Sequence, residues 1–259
     1  MYHSNGLEYI VSGYSRPNYS NISYFSGIND GNYRFHGTKQ IIFEPQYTKV
    51  SAANSQYGKN LHYSASYEMH SFAPEIFLNP SRPKTQFIDD KSKIIGIAEE
   101  AFELVMKQKL PENISLNILP LHEFKEVHSI FGPWSNGILG FSINGMNKKI
   151  FVLENHLDDV MLVIGHEIGH LLTETLPNKH DEEAKAFAFS IEWAKAIKRH
   201  NVANLGLSIK DELDFKPARN GLHDVAFGFV DLMVKKGRTA MQLHDDLVKK
   251  YVSVFGRVY

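Results

Sequence analysis

Two histidines four residues apart enclose a glutamate in the run His166-Glu167-Ile168-Gly169-His170. On an α-helix, side chains at i and i+4 stack on one face a turn apart, so two imidazole nitrogens can converge on one metal ion. Glu167, beside the first histidine, then lies close enough to reach a water bound to that ion. A catalytic zinc site needs three protein ligands and an open position, so a third ligand must come from elsewhere. The chain has no cysteine, which excludes disulfides, thiolate ligands and a thiol nucleophile. The remaining candidates are His, Asp and Glu.

The element that must carry this motif is residues 160–172, VMLVIGHEIGHLL. Met161, Leu162, Val163, Ile164, Ile168, Leu171 and Leu172 leave almost no face polar except the one bearing His166, Glu167 and His170, which marks a core helix. Unpaired buried polar groups cost on the order of a few kcal/mol each, and a shared metal is the simplest common partner for the trio. The bland reading is two core histidines satisfied by backbone carbonyls, with a chance acid between them.

Around this helix the pattern predicts an α+β fold. The first 85 residues hold 10 of the 12 tyrosines. Short β-prone runs at residues 8–11, 40–43 and 61–67 alternate there with turn signals such as Asn29-Asp30-Gly31. Pro74, Pro80 and Pro83 suggest a stiff extended connector, dividing a Tyr-rich β/loop segment, 1–85, from a domain at 86–259. Apolar spacing from Ile94 to Leu110 predicts a helix of about four turns stopped before Pro111. Residues 113–119 alternate as a strand, and 121–130 read as a short helix.

Residues 137–143 (GILGFSI) and 149–154 (KIFVLE) read as strands of a hairpin turned at Asn144-Gly145. They complete a small mixed sheet packed on the motif helix. Asn155 is placed to cap that helix, with Asp158 and Asp159 in its first turn. A second long helix runs from about Asp181 to His200, and two amphipathic helices, 222–236 and 239–254, close the chain. In the last, Ala240, Leu243, Leu247, Tyr251 and Val254 share one stripe.

If the helix after the motif folds back antiparallel, its first turn lies near His170. That turn opens Asp181-Glu182-Glu183. Any of these acids could serve as a ligand, or could merely complement the helix dipole. Periodicity does not choose among them, because the faces of Glu182 and Glu183 both continue into apolar residues. His180 is a further option, although the metzincin spacing wants a histidine where Leu176 stands.

HEIGH followed closely by an acidic helix of E-x-x-A type resembles the gluzincin metallopeptidases. The run Glu183-Ala184-Lys185-Ala186-Phe187-Ala188 is similar to a signature of compact ImmA/IrrE-like intracellular proteases. The resemblance covers roughly residues 87–199. It implies a zincin-like fold and a zinc-dependent endopeptidase with one zinc per chain, His166, His170 and Glu183 as ligands and Glu167 as general base. Two positions depart from the pattern. Phe187 stands where gluzincins often place an Asp that orients a histidine, and Lys185 stands where the ImmA-like form has Asn. The resemblance also implies that an edge strand beside the motif helix holds substrate extended, a part open to residues 137–143. His223, near a helix start, is a candidate oxyanion donor, or simply an imidazole at a helix N-terminus. Tyr251 is already explained by its apolar stripe.

A net charge of -1 gives no electrostatic argument for nucleic acid or an anionic membrane. No run approaches the roughly 18 apolar residues of a span, and the first residues lack the pattern of a secretory leader, so a cytoplasmic protein acting on a peptide or protein substrate is expected. Two other readings stand beside the peptidase. One is a regulatory or protein-interaction module with structural zinc, in which Glu167 would have no part. The other gives the function to residues 1–85, as a partner-binding module or as a pro-segment over the cleft. Oligomeric state leaves no mark in the sequence.

Overall fold

In the computed structural model the described residues are 9–10, 72–132, 134–213 and 221–256. The expected strands at 40–43 and 61–67 and the turn at Asn29 lie outside them, as does most of the expected N-terminal segment. What is described is mixed α+β, with six α-helices and two small sheets.

The first short strands are β1 (Tyr9–Ile10) and β2 (Phe87–Ile88). In β3 (Ile114–Leu119), Ile114, Leu116 and Ile118 are buried and Ser115 is exposed, the period-two pattern of a strand with one face on the core. β4 (Gly140–Ile143) and β5 (Lys148–Leu153) form the expected antiparallel hairpin, with Phe141 opposite Phe151. β3 runs parallel to β5, Leu116 beside Ile150. The sheet order is β1-β4-β5-β3. β4 is therefore no bare edge: Tyr9 and Ile10 pair with its Ile143 and Ser142. A separate two-stranded sheet joins β2 to β6 (Asn155–His156).

Helix α1 (Ile95–Met106) ends a turn earlier than its apolar spacing suggested. Lys107 takes a left-handed conformation, φ 57°, and its side chain caps the carbonyl of Leu104 at 2.8 Å. Helix α2 (Leu121–Ser129) buries Phe124 and His128 in a small aromatic cluster with Phe141. The motif helix, α3 (Leu157–Leu171), is buried along its whole length. Its N-cap is His156 rather than Asn155, because Asn155 belongs to β6 and spends its side chain on the backbone N–H of His156.

Helix α4 (Lys179–His200) follows, capped by Asn178, whose side chain accepts from the N–H of His180 at 2.9 Å. Then come α5 (Leu222–Lys235) and α6 (Ala240–Val248), the latter opened by a Thr239/Gln242 capping box. α6 stops short of the expected 254, and Lys250 turns the chain in a left-handed conformation, φ 59°. Tyr251, which helical spacing set on the buried stripe, is consequently 70% exposed, whereas Val254 still reaches the core.

Helix α3 lies between the β4/β5 hairpin and α4, and α4 is packed in turn by α1, α5 and α6. The stretch 74–83, expected as an extended connector, carries a 3-10 turn at Pro74–Ile76. Phe77 and Leu78 from this stretch are buried in the same core as α3. Arg82 and Thr85 bond Asp158 at the start of α3, at 2.5 and 2.6 Å. Among the described residues no helix is long and apolar enough to cross a membrane.

Candidate metal centre

Small residues decide how closely α3 and α4 approach. A Cβ on Gly165 would fall 2.4 Å from the ring of Trp193, and one on Gly169 would fall 2.8 Å from the Cα of Ala186. Trp193 locks the first contact by donating its indole N–H to the carbonyl of Met161 at 2.8 Å. Contacts descend along α4 as they ascend along α3, so the helices are antiparallel, and the first turn of α4 arrives at His170 as the sequence predicts.

Three side chains converge there. One ligand atom each from His166, His170 and Glu183 lies within 4.8 Å of the others, all three residues being buried. Glu183 Oε2 is 3.4 Å from His166 Nε2 and 3.8 Å from His170 Nε2. Among the described residues none of these three atoms has a hydrogen-bond partner. Buried polar atoms are ordinarily satisfied, and three orphaned lone-pair donors pointing at one another are what a bound cation would satisfy. The group could hold a metal ion, and its imidazole and carboxylate donors suit zinc chemically.

Each histidine is oriented from behind. Ser190 Oγ lies 3.2 Å from His166 Nδ1 and donates its own proton to the carbonyl of Ala186 at 2.8 Å, so the serine oxygen accepts from the imidazole. His170 Nδ1 lies 2.8 Å from Glu182 Oε1, which can only accept when ionised. Both rings thus carry the proton on Nδ1 and turn the Nε2 lone pair toward Glu183. The orienting partners fix the tautomer.

The candidates for third ligand separate cleanly. Glu183 faces both Nε2 atoms, and Glu182 sits behind His170. Asp181 instead holds the C-terminal segment, accepting from Ser253 Oγ at 3.1 Å and from the N–H of Val254 at 2.7 Å. His180 packs edge-on against Phe255, outside the metal group. Phe187, where the family pattern often has an orienting Asp, lays its ring against His166.

Burial pulls the His166 imidazole down to about 4, keeping its lone pair free. Burial opposes charge on His170 as well, but the carboxylates of Glu183 and Glu182 outweigh it and raise that imidazole. Burial would raise Glu183, yet His223, His170 and His166 hold it well below the usual carboxylate range. The three carboxylates whose fields reach His170 are those of Glu183, Glu182 and Glu167, and one buried ammonium, Lys185, faces Glu182.

Glu167 is buried, and Gly140 at the start of β4 passes so close that a Cβ there would lie 3.3 Å from Glu167 Oε1. His223, in the first turn of α5, places Nε2 3.2 Å from Glu183 Oε2. Tyr251 is 70% exposed and lies outside the group that could hold a metal.

Sequence reasoning missed Ser190, the placement of Glu182 behind His170, and Phe72, whose ring stacks on His166 with centroids 4.3 Å apart. Ser190 had a faint signal: a lone hydroxyl seven residues after Glu183, two helical turns along the same face. Comparison with protein-family models, with curated proteins and with solved structures finds no match to this chain.

Proposed function

We propose that this protein is a zinc-dependent metalloendopeptidase of the gluzincin type, with a zincin-like arrangement of sheet, motif helix and acidic helix. The observation that carries the reading is the convergence of the orphaned atoms of His166, His170 and Glu183 with Glu167 on the same helix. Those three residues would hold the ion. When bound, zinc supplies a Lewis acid that brings the pKa of water toward about 7 and polarises a carbonyl.

Glu167 is the proton carrier. Its carboxylate takes a proton from the attacking water, oxygen adds to the peptide carbon, and the proton passes to the leaving amine as the C–N bond breaks. His223, beside Glu183, supplies a hydrogen bond to the oxyanion that develops. Ser190 and Glu182 keep both ligand rings in the required tautomer.

One observation favours a second reading. The metal group is wholly buried and Phe72 lies on His166, as in a closed structural site of a regulatory or protein-interaction module. A single experiment separates the two. The full-length protein is loaded with zinc, dialysed, analysed for metal and assayed on an unstructured protein substrate alongside Glu167→Gln. One zinc per chain, with hydrolysis lost in the variant and zinc retained, is the expected result. Zinc without hydrolysis in the wild type would give the second reading the field, and no zinc would end both.

A further inference from the structure

Glu182 and Lys185 are one turn apart on α4, and both are buried. Glu182 uses both oxygens. Oε1 accepts from His170 Nδ1 at 2.8 Å, and Oε2 accepts from the N–H of Leu176 at 2.8 Å while pairing with Lys185 Nζ at 2.9 Å. Lys185 has no exposed surface, and its ammonium also meets His170 O at 3.3 Å, Thr173 Oγ1 at 3.1 Å and Glu174 O at 3.3 Å.

Burying a lysine is unfavourable unless its protons are well placed. Here they are placed on the end of α3 that carries a candidate ligand. The carbonyl of His170 and the carboxylate behind its ring converge on one ammonium, so backbone and side chain of the same residue are held from one point. The segment between α3 and α4 is tied to it through Thr173, Glu174 and Leu176.

We propose that Glu182 and Lys185 form the positioning pair of the metal centre, Glu182 fixing the ring of His170 and Lys185 fixing Glu182 against the end of α3. This rests on the metal-binding reading of the site. It gives Lys185, at the position where the resembled family has Asn, a definite task, and it moves the orienting acid from the Phe187 position to the residue before the ligand. Neither residue touches substrate in this scheme; both act through His170.

The test uses full-length protein, zinc competed against a chromophoric chelator, and the visible spectrum of the Co²⁺-loaded form. Glu182→Gln keeps an acceptor for His170 Nδ1 and removes the charge; Glu182→Ala removes both. Loss of an orienting partner typically costs roughly 10–100-fold in metal affinity. Glu182→Ala is expected to lose that much and to shift the Co²⁺ bands, with Glu182→Gln recovering part of the loss. Lys185→Met is expected to weaken zinc binding in the wild-type background but not further in Glu182→Gln, because it acts through the carboxylate.

Wild-type zinc affinity and Co²⁺ spectrum in folded Glu182→Ala and Lys185→Met would overturn the proposal, leaving a purely structural tie. Should Lys185→Met fail to fold, the two Glu182 variants decide alone. A wild-type chain that binds neither metal would overturn the metal-binding reading as well, a result distinguishable from unchanged affinity in the variants.

Discussion

Gly169 meets Ala186 with no room to spare: a Cβ on the glycine would lie 2.8 Å from the alanine's Cα and 2.9 Å from its carbonyl oxygen. The glycine precedes ligand candidate His170, and the alanine follows ligand candidate Glu183 by one helical turn. Helix spacing and ligand spacing are therefore one quantity.

Gly169→Val is expected to push α4 away from α3. Overpacking of this kind costs about 1–3 kcal/mol, and the shift would reach Glu183. Urea unfolding should show the loss of stability and zinc titration a weaker site. Unchanged values in both would mean that the helices have slack the contact distances deny.

Asp181→Ala should separate stability from metal binding. It strands the N–H of Val254 and the hydroxyl of Ser253, which Asp181 now accepts, at a cost of about 1–3 kcal/mol. Zinc affinity should stay within about twofold of the wild type, since a shift of that size is under 0.5 kcal/mol. A large loss of affinity would return Asp181 to the ligand candidates.

Asp159, in the first turn of α3, is raised to about 6 by burial and by neighbouring Asp158, against the pull of Arg82. An unfolded aspartate titrates near 3.9. Between these values the folded chain binds more protons than the unfolded one, so this group's contribution to stability falls as pH rises from about 4 to about 6. Asp159→Asn should therefore be more stable than the wild type above pH 6, by at most about 3 kcal/mol, with the gap closing below about pH 4. Thermal melts of both chains across that range check the sign, and a gap that widens on acidification would refute it.

Removing metal should lower the melting temperature. At free zinc about 1,000-fold above its dissociation constant, binding stabilises the folded state by about 4 kcal/mol. Calorimetry with zinc and with excess chelator measures the difference. Identical curves would argue against a site in the folded chain.

Much of the positioning was legible in the sequence, because it follows from local rules. The apolar run around His166, the Asn144-Gly145 turn and the return of an acidic helix gave the hairpin, α3 and α4 in their observed order. What stayed illegible was decided by contacts across the fold. Asp181, Glu182 and Glu183 are consecutive acids on one turn, and only their different neighbours, Val254, His170 and the paired imidazoles, tell them apart. Tyr251 misled for a related reason: helical spacing persists in the letters after the backbone has left the helix at Lys250.

Phe72, stacked on His166, bears on where the chain can be shortened. A version begun at residue 86 would bare one face of that imidazole and strip Arg82 and Thr85 from Asp158. It would also remove Phe77 and Leu78 from the core. A fragment that keeps these contacts of the candidate metal group starts at or before Phe72. A contribution from residues 1–71 should be sought by cutting upstream of that ring, which leaves these contacts in place.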